Sequence, residues 1–410
     1  MIEPFESYLE DVPVICDLAD IDFYKFTMKT AMLKCFPEAD AEMAFTCRSP
    51  GFDFRKIEQA LNSQIRLIGG LRHTDTTLNA MRRVDYFPES YIRFLDYQRL
   101  NPEDVRVSTN NTGTLFIRIK GPWAYITDWE TLLLSIISQL HTAYILSHGN
   151  VGDYDFIWNR AETRLRGKLR LISKRCPNLK FTDFGTRRRA SMNWHRRVLE
   201  ICKEEAPNNL LGTSNVYMAQ RCDLPFFGTH AHEWDSAHLA IYHPTQAKRQ
   251  AMLNWLDAFH GHAGITLTDT FTTDAFLVCF DHMLANAFTG VRHDSGPWLE
   301  WAEKILAHYK KLGIDPKTKT LLFSDGLSFM QMIEIYETLH TECRVGFGIG
   351  TNLTNDTLIQ ALSIVIKLIR LNGHAVLKMS DDYGKLMCAE PKLRDFAVSA
   401  LNIPDTYFTH

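Results

Sequence analysis

Long apolar runs are missing from this 410-residue chain. No stretch approaches the ~18 uninterrupted apolar residues of a membrane-spanning helix. The best, residues 132–146, is broken by Ser135, Gln139 and His141. Excess charge is missing too: a formal net charge of −3 creates no field that would draw the whole molecule onto nucleic acid or an anionic membrane. The first residues carry Glu3, Glu6, Glu10 and Asp11 where a signal or transit peptide would carry basic side chains. The nine cysteines contain no C-x-x-C. An odd, scattered set makes no disulfide framework and reads as reduced thiols in a cytoplasmic protein. There is no internal repeat and no low-complexity linker. A length of 410 residues and 45% hydrophobic content then leave an ordinary globular chain of two or three domains.

The pattern along the chain changes near residue 137. Before it, strands and helices mix. Short strands are expected at Val12–Cys16, Ala41–Arg48, Leu115–Ile119 and Trp123–Ile126, with helices over Asp22–Phe36 and Phe54–Leu67 and from Trp129 onward. After it, helical segments alternate with short apolar strands at Leu179–Gly185, Leu210–Ser214, Pro225–His232, Gly264–Thr270, Gly290–Gly296, Leu321–Gly326 and Arg344–Thr351. The helices between them are expected at Arg187–Glu205, Thr245–Phe259, Thr272–Phe288, Pro297–Leu312 and Ser328–Leu339, with Ser295 as a cap and Pro297 in the first turn of the fourth. Regular βα alternation implies parallel strands with right-handed crossovers. Seven such units suggest an α/β barrel, complete or incomplete in its closure, over residues 137–359. Residues 1–136 form a separate N-terminal α/β domain. A helix after 355, a strand at Ser363–Ile369 and a hairpin at Asn372-Gly373 would return residues 360–410 to that first domain.

Chemistry in parallel barrels gathers at the carboxyl ends of the strands. Read there, the chain places Asp183, Asp269, Asp294 and Asp325, Arg187 to Arg189, Arg292, and a glycine cluster of Gly346, Gly348 and Gly350 followed by Thr351. One such Asp is usually a helix cap; several at one end of one sheet are a site. Glycines with a following threonine suit a phosphate, although no Lys completes a Walker A loop and the dinucleotide fingerprint is absent. The richest stretch is P-F-F-G-T-H-A-H-E-W (225–234). Its His230 and His232 could form an H-x-H metal pair, with His260, His262, His293 or Asp294 completing the site of a metal-dependent hydrolase. Alternatively, one of them acts alone as acid, base or nucleophile. Residues 160–197 carry thirteen Lys and Arg against Glu162 and Asp183. That segment leaves an RNA-binding reading open, although Trp194 is its lone stacking candidate after the strand.

F-G-T-R-R-R, G-T-x-A-H-E-W, R-x-D-S-G, F-S-D and G-F-G-I-G-T, in this order and spacing, resemble nicotinate phosphoribosyltransferase of the proteobacterial and fungal kind. D-F-Y-K-F-T-M (22–28), F-T-C-R (45–48) and K-M-S-D-D-Y-G-K (378–385) extend the resemblance over almost the whole chain. It implies an irregular parallel (β/α) barrel with an N-terminal α/β sandwich, the type II phosphoribosyltransferase architecture. It implies that nicotinate and phosphoribosyl pyrophosphate (PRPP) become nicotinate mononucleotide and pyrophosphate, with Mg²⁺ and with ATP hydrolysis coupled through a phosphohistidine. Residue by residue, the resemblance makes His232 the phosphohistidine, with Asp294 and Glu233 beside it in the chemistry. Tyr24, Arg187, Thr229 and Arg292 become nicotinate-binding, and Asp325, Gly348, Gly350 and Thr351 PRPP-binding. It names no metal ligands, and it allows a homodimer while leaving open whether sites are shared between subunits. One departure stands out: the family pattern has an acidic residue after R-H-D-S-G, where this chain has Pro297 and Trp298.

Overall fold

The computed structural model describes residues 1–149, 153–262, 264–388, 390–404 and 407; the last residues of the 360–410 segment lie partly outside these. In chain order the strands of the two main sheets are β1 (Asp40–Cys47), β2 (Val105–Thr109), β3 (Leu115–Pro122), β4 (Phe181–Asp183), β5 (Leu210–Thr213), β6 (Ile265–Leu267), β7 (Gly290–His293), β8 (Thr320–Phe323), β9 (Arg344–Ile349), β10 (Ile364–Leu371) and β11 (His374–Ala375). They build an antiparallel sheet of order β11-β10-β1-β3-β2 and a sheet of order β5-β4-β9-β8-β7-β6 whose pairs all run parallel.

The antiparallel sheet follows from alternation. In β3, Leu115, Ile117 and Ile119 are buried while Phe116, Arg118 and Lys120 point to solvent. Chain from beyond the parallel sheet completes it, since β10 pairs with β1 from Ala41↔Leu371 to Cys47↔Ile364. The Asn372-Gly373 turn, both residues at positive φ, then folds β11 back on β10.

Several local expectations change. Val12–Cys16 is not a strand; the Gln64 side chain occupies its backbone instead, accepting from Val14 N at 2.7 Å and donating to Val12 O at 2.9 Å. Trp123–Ile126 is one helical turn, because Gly121-Pro122 ends β3 and Trp123, Ala124 and Ile126 are then buried together. Thr272–Phe288 divides into helices Thr273–Cys279 and His282–Ala287, the second capped by Asp281. The helix expected from Arg187 begins at Met192, after a short turn at Thr186–Arg188. The helical turn near 355 is Thr351–Thr354, which precedes that position.

The largest change is at Pro225–His232, which is no strand. Thr213 holds it by a single bridge to Phe226, with Thr213 N donating to Pro225 O and Phe227 N to Thr213 O. Beyond this, Gly228 packs so tightly on the start of the Phe23–Cys35 helix that a Cβ there would lie 2.8 Å from Tyr24 N. The parallel sheet therefore has six strands, with this irregular stretch beside β5.

The stretch ends in the helix His232–Leu239, which is buried along its length. Successive helical residues point about 100° apart, so His232 and Glu233 face different neighbours. The Glu233 carboxylate accepts from Trp123 Nε1 at 2.7 Å, Thr127 Oγ1 at 2.8 Å and Lys25 Nζ at 2.8 Å. Lys25 also pairs with Glu130 at 2.7 Å. Burial alone would depress the Lys25 pKa, but the two carboxylates hold it above its ordinary value. Glu233 is therefore a strut tying the barrel to the N-terminal domain, not a partner of the His232 imidazole. Glu233→Ala should lower stability by about 3–5 kcal/mol, because it strips a buried network of one charge. Glu233→Gln should cost less. Urea unfolding at pH 7 measures both, and an unchanged midpoint for Glu233→Ala would contradict the strut.

Candidate active site

His232 is almost wholly buried at the start of its helix, behind the strand ends. Its Nε2 lies 2.8 Å from Asp269 Oδ1, just past β6. Burial would raise the Asp269 pKa, but His232 and Lys378 hold it well below the usual carboxylate range. An ionised carboxylate can only accept, so Nε2 carries the proton and Nδ1 keeps its lone pair. Nδ1 stands 3.8 Å from Asp294 Oδ2. Burial, and then the Lys378 ammonium, push the His232 pKa down to about 4 against the pull of Asp269 and Asp294. The ring is therefore neutral near pH 7, with one nucleophilic nitrogen. Asp269 is fixed in turn: its Oδ2 accepts from Ser295 Oγ at 2.7 Å and has Lys378 Nζ at 3.5 Å. Ser295 thus orients Asp269 and does not cap the next helix, which starts at Trp298 behind Pro297.

Beside this pair lies a cleft of about 320 Å³ between the strand ends of the barrel and β10 of the N-terminal domain. Its walls carry Arg48, Arg187, Arg188, Arg292, Lys367, Lys378 and Lys385 against only Asp294 and Asp325. Seven cations facing two carboxylates make a receptor for a polyanion. Arg292 is locked at its centre, donating to Thr229 Oγ1 at 2.7 Å, Ser324 Oγ at 2.8 Å and Asp294 Oδ1 at 3.0 Å. Arg187 reaches Glu130 at 3.4 Å and Asp22 at 3.8 Å. The Phe184 ring lines the same cleft and lies under the Arg292 guanidinium, 5.9 Å from it.

The sequence-predicted residues fall into two layers. Arg187, Arg292, Asp294, Asp325, Gly348, Gly350 and Thr351 line the cleft. His232, Tyr24 and Thr229 stand behind its wall. The Thr229 hydroxyl is taken by Arg292, and the Tyr24 hydroxyl donates to Glu130 at 3.4 Å, next to Arg187 of the same chain. Gly348 makes room for a ring more than for a phosphate, since a Cβ there would lie 2.2 Å from Phe184. Sequence reasoning left Asp269 without a role, passed over Lys367, and quoted Phe184, Arg48, Lys378 and Lys385 only inside motifs, with no role. The signal for Asp269 was present in its strand-end position.

The alternative chemistries lose their geometry. His230 turns from His232 to Asp235, 3.4 Å away, and packs on Trp255. His293 points to Gly296 O and His262 packs beside Tyr86. The described residues that could jointly hold an ion are His232, Asp269 and Asp294, not an H-x-H pair. The basic segment is neutralised by acids partly outside the window that defined it. Arg166 pairs with Glu162, Glu204 and Glu205, Arg197 with Glu162, Arg175 with Glu337, and Arg164 and Lys168 with Asp356. No helix among the described residues is long and apolar enough to cross a membrane.

Comparison with known proteins agrees with this arrangement. Residues 179–405 match the nicotinate phosphoribosyltransferase (NAPRTase) family and residues 19–138 its N-terminal domain. The chain belongs to the nicotinate phosphoribosyltransferase family. Nicotinate phosphoribosyltransferase 2 of Pseudomonas aeruginosa is 40% identical over 385 residues, covering 92% of this chain and 94% of that one. The Ralstonia nicotianae nicotinate phosphoribosyltransferase is 37% identical, covering 92% and 96%. Among solved structures, nicotinate phosphoribosyltransferase from Porphyromonas gingivalis superposes with a TM-score of 0.89 at 36% identity, over 95% of this chain and 100% of that one. The Vibrio cholerae nicotinate phosphoribosyltransferase gives 0.89 at 34% identity over 97% of each. Within the family pattern, the Pro297-Trp298 departure is accommodated by packing: Pro297 precedes the helix, and the Trp298 ring meets Phe323 edge-on at 6.4 Å.

The depressed His232 pKa has a consequence for stability. The unfolded ring gains its proton below about pH 6.5, whereas the folded ring resists protonation down to about 4. Stability from this group is full above pH 6.5 and is lost as pH falls through that window. His232→Gln should flatten the fall between pH 6.5 and 4 by up to about 3 kcal/mol, read by urea unfolding at each pH. A slope unchanged by the substitution would contradict the buried neutral ring.

Proposed function

We propose that the chain is an ATP-coupled nicotinate phosphoribosyltransferase, forming nicotinate mononucleotide and pyrophosphate from nicotinate and PRPP. The observation that carries this reading is the cationic cleft set against the His232–Asp269 pair, in a chain of this family. Nicotinate is a planar anion, and the Phe184 face with Arg187 and Arg292 around it offers stacking and a guanidinium for its carboxylate. Thr229 and Tyr24 hold those arginines and Glu130 in place from behind. The turn at Gly350 and Thr351 suits the 5′-phosphate, and Asp325 the ribose hydroxyls. Asp294 lies where positive charge would develop on the sugar as pyrophosphate leaves.

The phosphohistidine step falls to His232. The Nδ1 lone pair attacks the terminal phosphorus of ATP, the bond from that phosphorus to the bridging oxygen breaks, and ADP leaves with the electron pair. Asp269 holds the Nε2 proton and stabilises the positive ring that results. Asp294 would hold Mg²⁺ through Oδ2, since its Oδ1 is taken by Arg292 and Ser324. When bound, the ion would neutralise pyrophosphate as it departs. The proposed setting is the cytoplasm, where nine unpaired cysteines would persist.

With γ-labelled ATP, wild-type protein should take up acid-labile label and release it when nicotinate and PRPP are added together. His232→Ala should take up none. Asp269→Asn should slow uptake by about 10²–10⁴-fold, the range for a misoriented imidazole. Label persisting in His232→Ala would remove the phosphoryl role from that residue.

A further inference from the structure

Building on the functional reading above, we propose that Lys385 is a positioning residue that latches the ribose side of the cleft and is released when His232 carries a phosphoryl group. The Lys385 ammonium donates to Asp325 Oδ1 at 2.6 Å and lies 3.5 Å from Asp294 O. Asp294 Oδ2 is in turn 3.8 Å from His232 Nδ1. The Lys385 ammonium therefore touches both the carboxylate proposed for the ribose and the backbone of Asp294, whose side chain faces the nitrogen proposed for the phosphoryl group. While it holds Asp325, that carboxylate is not free for a sugar hydroxyl.

The chain bearing Lys385 is anchored just upstream against the His232 pair itself. Met379 N donates to Thr270 O at 2.8 Å, Ser380 N to Asp269 O at 3.0 Å and Asp381 N to Ser295 Oγ at 2.9 Å. The Tyr407 hydroxyl hydrogen-bonds to the carbonyls of Met379 and Ser380 from the other side. Ser380 is fully buried and held at φ 82°, a conformation a residue with a Cβ adopts only when its surroundings impose it. With the chain fixed near Asp269 at residues 379–381, four residues before it, Lys385 can respond to charge by swinging its side chain, which is 26% exposed.

With His232 neutral, Asp325 is the better partner for the ammonium. A phosphoryl group brings roughly two negative charges to a nitrogen already near Asp269 and Asp294. Lys385 gains more by turning to it than by staying on one carboxylate. Asp325 is then open to the ribose, so phosphorylation tightens PRPP binding. The pair being broken is 26% and 31% exposed on its two sides and is worth about a fivefold factor at most, weak enough to be reversed on every turnover.

Isothermal titration of PRPP with Mg²⁺, in the absence of nicotinate, tests this on full-length protein before and after treatment with ATP. Removing a cation from a cationic cleft should here tighten a polyanion: untreated Lys385→Met should bind PRPP about three- to fivefold more tightly than untreated wild type. ATP treatment should tighten wild type about three- to fivefold and Lys385→Met by less than about twofold. Lys385→Arg should behave as wild type. Asp325→Asn, which opens the same pair from the other side, should weaken PRPP in both states. Weaker binding by Lys385→Met with an undiminished gain from ATP would overturn the latch and leave Lys385 a plain phosphate contact. Tighter binding by Asp325→Asn would overturn it as well. Absence of PRPP binding by wild type would overturn the functional reading and the latch with it.

Discussion

The hydrogen bond between His232 Nε2 and Asp269 Oδ1 is the constraint on which the rest of the site depends. It decides which imidazole nitrogen is nucleophilic, and it exists because separate pieces of chain converge on one carboxylate. The irregular stretch after β5 supplies His232. The end of β6 supplies Asp269, the end of β7 supplies Ser295, and the segment after β10 and β11 supplies Lys378 and the Ser380 backbone. Burial and the Lys378 ammonium keep the His232 ring neutral against the pull of Asp269, and Asp269 stays ionised against its own burial because His232, Lys378 and Ser295 hold its oxygens.

The second organising feature is that the cleft belongs to neither domain alone. The barrel contributes Arg187, Arg188 and Arg292, whereas Arg48 and Lys367 come from β1's end and β10 of the antiparallel sheet. A polyanion bound there would bridge the two. The domains must be held in register for this, and the buried Lys25–Glu130–Glu233 network with Trp123 and Thr127 does so. Glu130 also faces Arg187. Burial would raise its pKa, but Lys25, Lys367 and Arg187 draw it down to about 2. The same carboxylate thereby serves both the joint and the cleft.

Much of this was legible in the sequence. Short apolar runs ending in Asp, Arg or Gly locate the strand ends, because parallel strands need no alternation and their exits must be polar. Four failures are physical. Pro225-Phe-Phe looks like a strand, but tertiary packing of Gly228 on the Phe23–Cys35 helix took it out of the sheet. Glu233 was grouped with His232 because they adjoin in sequence, whereas a helix turns adjacent residues to different sides. Lys367, Lys378 and Lys385 were invisible as ligands because they come from the return segment. Only the fold brings that segment back to a barrel that it left many residues earlier. The window 160–197 misled for a similar reason: Glu204, Glu205, Glu337 and Asp356 neutralise it from outside.

The account's central claim is that a nucleophilic His232 and an interdomain polyanion cleft together make an ATP-coupled synthesis of nicotinate mononucleotide. The most direct measurement is chromatographic quantification of the nucleotide formed from PRPP with nicotinate or nicotinamide, each with and without ATP. The account predicts nicotinate mononucleotide from nicotinate, formed faster or further when ATP is hydrolysed, and little product from nicotinamide. No mononucleotide from nicotinate, or a yield and rate indifferent to ATP, would contradict it.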